Sequence, residues 1–363
     1  MSNKRETIAL GLSGGVDSSV AAFLLQKQGY NVIGYYMRNW SSDLGKFKCP
    51  WKEDRDYALR VANHLKIPFY TLNFEKEYKK KVVDYLFEGY QKGITPNPDI
   101  MCNKEIKFKI FLEKALKLGA DKIATGHYAQ VKKDSPHIRS GEAGKNGFHL
   151  LKGRDKNKDQ SYFLYTLNQK QLSKTLFPIG TYTKPQIRKI AKQAKLPTAD
   201  KPDSQGICFI GEVNITELLK TEIKPRKGDI ITTEGEKIGE HDGVWYYTIG
   251  QRKGIKIGGG IPYFVVEKDL KNNKLIVAKG SWSEELFSNT CIIDDIHWIN
   301  KKAKLPLKCS AKTRYRQADQ IGILDKYKNS YQITFKEKQR AITSGQSAVL
   351  YQKEECLGGG III

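Results

Sequence analysis

The first 200 residues of the chain alternate between two hydrophobic rhythms, and the remainder keeps mainly one. Short apolar, β-rich runs at residues 7–12, 32–37, 69–73 and 122–125 read as buried strands. Between them, residues 16–28, 53–65, 77–90 and 103–118 repeat apolar side chains at helical spacing. Strand alternating with helix predicts an α/β domain, a parallel sheet with helices on both faces and ligands beyond the carboxyl ends of the strands. Met37 and Gly126-His127 fall on that rim. Residues 169–196 read as helical again, with a turn at 177–180. Past Pro202 the runs shorten and alternate: 229–232, 245–249, 263–267 and 274–278, then 330–335, 340–343 and 348–351. Residues 271–274 read as a hairpin turn. These patterns predict a compact β-rich middle module and a C-terminal β-barrel or sandwich, with domains at 1–205, 206–280 and 281–363. The apolar end, residues 358–363, is expected to close an edge.

The turn after the first strand carries the most specific chemistry. Residues 9–19 read ALGLSGGVDSS and lead directly into the first helix. Gly11, Gly14 and Gly15 let backbone approach an anion, and the helix start offers free N–H groups and a partial positive charge. Ser13, Ser18 and Ser19 add hydroxyl donors around Leu12, Val16 and Asp17. A Gly-Lys-Ser/Thr ending is absent, which excludes the common P-loop, and G-x-G-x-x-G spacing is absent too. A loop without that lysine suits holding a pyrophosphate as a unit better than transferring a γ-phosphate.

Length and charge narrow the partners. At 363 residues, two or three domains are expected at roughly 150 residues each. Lys and Arg number 62 against 39 Asp and Glu, a net charge of +23. That surplus disfavours a self-contained enzyme of small metabolites and favours a nucleic acid. No run of about 18 apolar residues suggests a membrane span. Residues 1–6 are polar and leave no room for a signal peptide, so a cytoplasmic protein is expected. None of the six cysteines forms a CxxC pair, so no zinc or iron–sulfur site is expected.

Two cysteines sit in unusual surroundings. Cys102 follows a rigid loop with Pro96 and Pro98, close to a helix start and to Lys104 and Lys107, which favours a thiolate. Asp99, three residues earlier, suits either a proton shuttle or the cap of that helix. Cys208 lies in a loop, Asp203-Ser204-Gln205-Gly206-Ile207-Cys208, where a small buried hydrophobe is the plain alternative to a reactive thiol. Arg314-Tyr315-Arg316 pairs guanidinium with an aromatic ring, an RNA-binding combination or simply a solvated basic turn.

The SGGVDS loop resembles the PP-loop of the ATP pyrophosphatases, which split ATP between its α and β phosphates and adenylate a carbonyl oxygen. Nearly end to end, the chain resembles the tRNA-specific 2-thiouridylases. The resemblance is carried by GLSGGVDSS (11–19), NPDIMCNKEIKF (97–108), ATGHYA (124–129), NKDQSYFL (157–164), LFPIG (176–180), DSQGICFIG (203–211), YYTIGQRKG (246–254), SGQ (344–346) and CLGGG (356–360).

That resemblance implies a Rossmann-like parallel-sheet PP-loop domain, a small β-rich central domain and a tRNA-contacting C-terminal β-barrel. It implies adenylation of O2 of the wobble uridine of a tRNA and its replacement by sulfur, with release of pyrophosphate and AMP. By match, Cys208 carries sulfur as a persulfide, Cys102 is the nucleophilic thiol, and a transient Cys102–Cys208 disulfide results. Gly11–Ser18, Met37 and Gly126 would bind ATP, expected with magnesium near Asp17. Asn97, Pro98 and Asp99 would face the target base. His127, Lys158, Asp159, Gln160, Arg314, Tyr315 and Gln346 match positions that touch tRNA. Sulfur would come from a cysteine desulfurase or a relay protein, the expected acceptors are tRNAs for Lys, Glu and Gln, and a monomer is expected. An amide-forming PP-loop synthetase needs neither the paired cysteines nor the positive charge, and a non-catalytic tRNA-binding module would produce no AMP.

Overall fold

The computed structural model describes residues 5–41, 43, 49–134, 147–203, 214–258 and 260–363. Strand β1 (Thr7–Gly11) is buried over four of its five residues because it runs through the middle of a parallel sheet. It pairs with β2 (Asn31–Arg38) on one side and β4 (Lys122–Ala124) on the other. β3 (Phe69–Asn73) lies outside β2, and β7 (Thr175–Leu176) outside β4, giving the order β3-β2-β1-β4-β7. Alternate residues of β1 serve opposite layers. Ile8 and Leu10 pack with helices Val16–Lys27 and Trp51–Leu65, whereas Ala9 packs with the Cys102 side of the sheet. The order reverses across β1 and β4, so their carboxyl ends flank the crevice where such sheets bind ligands.

Two elements of this domain differ from the sequence expectation. The run at 169–196 is broken into helix Gln169–Ser173, the two-residue strand β7 and helix Lys184–Gln193. β5 (Ala129–Lys133) and β6 (Phe148–Lys152) form an antiparallel hairpin that the pattern did not announce.

The middle module is a four-stranded sheet of β8 (Gly228–Thr232), β9 (Lys237–His241), β10 (Tyr263–Asp269) and β11 (Lys274–Lys279), in the order β10-β11-β8-β9. Asn273, at φ 54°, makes the turn expected between β10 and β11. The aromatic run at 245–249 is no strand: Val244–Tyr246 is a single 3₁₀ turn entered from Gly243 at φ 149°.

The last six strands form a barrel and not a sandwich. β12 (Phe287–Trp298), β15 (Ser330–Arg340), β14 (Gln320–Tyr327), β13 (Leu307–Lys312), β16 (Ser347–Gln352) and β17 (Glu355–Ile362) pair in that order, and β12–β17 pairing closes the ring. The apolar end of the chain supplies β17, and its glycines admit close packing: a Cβ on Gly358 would lie 2.0 Å from the His297 carbonyl oxygen. Of the run expected at 340–343 only Arg340 is in a strand, the last residue of β15; residues 341–346 form the loop into β16.

The barrel is not self-contained. β6 pairs with β17 through Glu355↔Leu151 and Cys356↔Leu150, so the β5–β6 hairpin extends the barrel sheet. Four charges are packed at this joint. Lys152 pairs with Asp319, and Lys312 lies 3.4 Å from Asp159 and 3.7 Å from Asp319. Both ammonium groups stand over the Tyr351 ring, 4.5 and 5.3 Å from its centroid.

Candidate active site

The loop after β1 is built by its own serines. The Ser13 amide donates to Ser18 Oγ at 3.2 Å, and the Ser18 and Ser19 hydroxyls donate to the Gly15 carbonyl at 3.1 and 2.8 Å. Gly14 has φ 79°, and a Cβ there would lie 2.0 Å from the Asp54 carbonyl oxygen, so the loop rests on the start of helix Trp51–Leu65. Gly126, after β4, is equally close: its Cβ would lie 2.7 Å from the Ser18 nitrogen and 2.9 Å from the Asp17 carbonyl carbon. The Met37 methyl is 3.0 Å from where a Gly11 Cβ would be. Gly11, Met37, Gly126 and the Ser13–Ser18 turn, chosen from separated stretches of sequence, therefore meet on one rim, at the β1/β4 crevice.

The positive charge missing from the loop arrives from elsewhere in the chain. Lys184, at the start of helix Lys184–Gln193, donates to both Asp17 oxygens at 2.8 and 2.9 Å, and the Tyr128 hydroxyl donates to Oδ1 at 2.7 Å. Lys184 also reaches Asp203 at 2.8 Å, as do Lys158 at 2.8 Å and Arg188 at 2.6 Å. Burial pushes the Asp203 carboxyl up, but Lys158 and Lys184 outweigh it and hold the group well below the usual carboxylate range. Lys201 donates to Asp54 at 2.6 Å and to the Gly14 carbonyl at 3.3 Å, with its ammonium 4.1 Å from the Tyr57 ring centre. Burial raises the Tyr128 hydroxyl far above its ordinary value, and Asp17 adds to that. Sequence reading missed Tyr128, Lys184, Arg188 and Lys201. Tyr128 lies inside ATGHYA, but no local signal marks the other three.

The second half of the site is the helix that carries Cys102. Asn97, not Asp99, caps it: its Oδ1 accepts from the Asp99 and Ile100 amides at 3.1 and 3.2 Å, and Pro98 fills the first helical position. The helix then runs without interruption through Pro98–Met101, Cys102–Phe111 and Leu112–Lys117, the middle segment with π-type geometry. Cys102 is thus a full turn inside, its amide bonded back to the Pro98 and Asp99 carbonyls. The helix dipole acts mostly within the first turn, so the helix start contributes less to the thiol than its sequence position suggested. Cys102 is buried in the extended cluster that also contains Ala9, Met37 and Ile106. Its neighbour Asn103 is buried too, donating from Nδ2 to the Phe163 carbonyl at 3.3 Å while its Oδ1 has no partner. Cys208 lies outside the described residues.

The positions matched to tRNA contact divide into two kinds. Lys158 and Tyr315 are half-buried and Arg314 is exposed. His127, Asp159, Gln160 and Gln346 use their side chains inside the protein. His127 Nδ1 is 2.7 Å from Thr125 Oγ1, with its ring against Phe108 and Phe177. Burial and the nearby Lys107 hold it far below its ordinary value, so it is neutral. Asp159 accepts from the Gly153 and Ser161 amides, from the Ser161 hydroxyl and from Lys312. Gln160 accepts from the Tyr128 amide at 3.0 Å, and Gln346 donates to the Thr95 carbonyl at 2.8 Å.

Three barrel cysteines are chemically quiet. Burial pushes the Cys291 thiol up to about 12, Cys309 to about 11 and Cys356 higher still. Among the described residues no group of three His, Cys, Asp or Glu could hold a metal ion, and no helix is long and apolar enough to cross a membrane.

A parallel-sheet domain with a lysine-free phosphate loop at its switch point, followed by a small β module and a closed barrel, defines a PP-loop protein of three modules. Family models match in the same order: the tRNA methyl transferase HUP domain over residues 6–212, the tRNA methyl transferase PRC-barrel domain over 216–279, and the aminomethyltransferase beta-barrel domain over 288–362. The tRNA-specific 2-thiouridylase MnmA of Oceanobacillus iheyensis is 50% identical over 368 aligned positions, covering 100% of this chain and 96% of that protein. The protein of the same name from Staphylococcus epidermidis is 48% identical over 100% of this chain and 96% of its own length. That from Listeria monocytogenes is 50% identical over 98% and 94%. The chain belongs to the tRNA-specific 2-thiouridylase family.

Proposed function

We propose that the chain is an ATP-dependent sulfurtransferase that converts the wobble uridine of tRNA to 2-thiouridine. The observation that carries this reading is a lysine-free phosphate loop at the end of β1, whose Ala9 packs in the same apolar cluster as Cys102, in a chain matched over its length by 2-thiouridylases. The loop amides and the Gly11–Ser18 backbone would hold the phosphates of ATP, with Met37 and Gly126 against the adenosine. Lys184 and Lys201 stand within hydrogen-bond reach of the loop, and they balance charge there. Magnesium fits as a passenger of the nucleotide, since it commonly takes one or two carboxylates plus phosphate oxygens and Asp17 supplies one.

A uridine carbonyl oxygen is a poor leaving group until adenylated. Once O2 carries AMP, the terminal sulfur of a Cys208 persulfide attacks C2 and AMP departs. The Cys102 thiolate then attacks the Cys208 sulfur of the C2–S–S–Cys208 intermediate, releasing the thiolated base and leaving a Cys102–Cys208 disulfide for a cellular thiol to reduce. Asn97, Pro98 and Asp99 face the base. The cap role belongs to Asn97, and Asp99 is read as the carboxylate that moves a proton to or from the base. The sulfur donor is a cysteine desulfurase or a relay protein, the acceptors are tRNAs for Lys, Glu and Gln, and the enzyme works as a cytoplasmic monomer.

The test combines purified protein, unmodified tRNA, labelled ATP and a persulfide source, with nucleotides separated and digested nucleosides weighed by mass spectrometry. AMP and 2-thiouridine are expected, and Cys102→Ala is expected to lose 2-thiouridine and to stop after at most one equivalent of AMP. The names of two matched domains speak of methyl transfer, and the same digest separates a methylated base from a thiolated one. Tight tRNA binding with neither product would refute the reading in favour of a non-catalytic module.

A further inference from the structure

Three planar groups in contact bridge the nucleotide-binding domain and the barrel. Phe163 comes from the 3₁₀ turn Ser161–Leu164 after β6, and Tyr315 from the turn between β13 and β14. Their ring centroids are 4.4 Å apart with planes inclined by 44°, and Tyr162 meets the edge of Phe163 at 5.4 Å. The Arg316 guanidinium lies over the Tyr315 ring, 5.4 Å from its centroid. Phe163 and Tyr315 are half-buried, while Arg314 and Arg316 are exposed. The turn is firmly built. The Thr313 amide and hydroxyl donate to Gln317 Oε1 at 2.7 and 3.0 Å, the Gln317 amide donates to the Arg314 carbonyl at 3.3 Å, and Gln317 Nε2 donates to Gln339 Oε1 at 2.8 Å. It holds Arg316 at φ 64°, a left-handed conformation that costs any residue with a side chain. Glycine would sit there freely, so an arginine in that place calls for a reason.

We propose that the Phe163–Tyr315–Arg316 group is a ledge for a nucleobase adjacent to the target uridine. When a base leaves the anticodon stack, its neighbours lose a stacking partner, and this is part of the cost of extrusion. An aromatic stack ending in an exposed guanidinium offers a replacement surface that accepts any base. The location fits: Asn103, next to Cys102, donates to the Phe163 carbonyl, so the ledge is tied to the helix that carries the thiol. Lys158 and Arg314 supply charge for the flanking phosphates. The inference rests on the tRNA reading of the site and adds Phe163 and Arg316 to it.

The test uses the full chain and an unmodified anticodon stem-loop with 2-aminopurine placed, in turn, on each side of the target uridine. Wild-type protein is expected to quench the probe on one side as it stacks. Arg316→Gly is expected to melt at or above the wild-type temperature, because the strained backbone relaxes, yet to bind about tenfold more weakly and leave the probe unquenched. Arg316→Lys keeps the charge without the plane and is expected to fail in quenching as the glycine variant does. A lysine variant that binds and quenches like wild type would reduce Arg316 to a phosphate contact and overturn the ledge. So would a wild-type complex without quenching on either side. Wild-type protein that does not bind the stem-loop at all would overturn the tRNA reading itself, and the ledge with it.

Discussion

Gly126→Ala adds one carbon where the end of β4 meets the first turn of helix Val16–Lys27, at the proposed nucleotide crevice. The new Cβ would lie 2.7 Å from the Ser18 nitrogen, 2.9 Å from the Asp17 carbonyl carbon and 3.1 Å from the Ser18 Cα. All three atoms are backbone of the first helical turn, so no flexible side chain can yield. Gly126 is not among the residues at positive φ, so alanine is tolerated by the backbone and the effect comes from contact alone. Ordinary contact begins near 3.4 Å, so the β4 end and the helix start must separate by roughly 0.7 Å. Overpacking of that kind costs about 1–3 kcal/mol of stability. A shift approaching 1 Å at the phosphate loop lowers catalysis by roughly 10²-fold. The assay is AMP release from labelled ATP in the presence of unmodified tRNA, beside a thermal melt. Wild-type values in both would refute the packing argument. A lowered melting temperature with unchanged AMP release would keep the packing and refute its link to ATP.

Three further outcomes are expected. Lys184→Met leaves Asp17 without its ammonium partner, and the KM for ATP should rise about tenfold or more, as for loss of a charged hydrogen bond worth about 1.5–3 kcal/mol; tRNA affinity measured without ATP should not move. His149 lies between Asp134 at 2.7 Å and Glu355 at 2.6 Å, where burial lowers its pKa but the two carboxylates raise it further. Its contribution to stability is therefore complete below the ordinary histidine range and lost as pH rises through the raised value, so His149→Gln should lower the melting temperature more at pH 5.5 than at pH 9, and an equal loss at both would refute this. Lys312→Met strands the buried Asp159 carboxylate, and a loss of about 3 kcal/mol should appear as a lower urea midpoint.

Much of the site was legible because its chemistry is local. The phosphate loop, the Cys102 helix and the β-rich C-terminal half all announce themselves within about a dozen residues. What could not be read comes from distant chain. Lys184 and Lys201 reach the loop across 167 and 187 residues, and Tyr128 across 111. A lysine at the start of an amphipathic helix looks solvated until the fold puts a carboxylate beside it. Asp99 reads as a cap because aspartate favours that position, and the geometry gives the role to Asn97, two residues earlier. The hairpin β5–β6 escaped notice because Ala129–Lys133 has little apolar contrast, and the run at 245–249 misled because its aromatic residues fill a turn.

The pairing of β6 with β17 sets a timetable for the birth of the molecule. Leu150 and Leu151 leave the ribosome roughly 200 residues before Cys356 and Glu355, a wait of about 10–40 s at typical synthesis rates. Through that interval the nucleotide-binding domain carries an open β edge, and Lys152 lacks the aspartate that later neutralises it. The nascent chain is therefore most exposed to aggregation after its catalytic half is made and before its last eight-residue strand has docked. Losing that final strand would undo both ends of the protein at once.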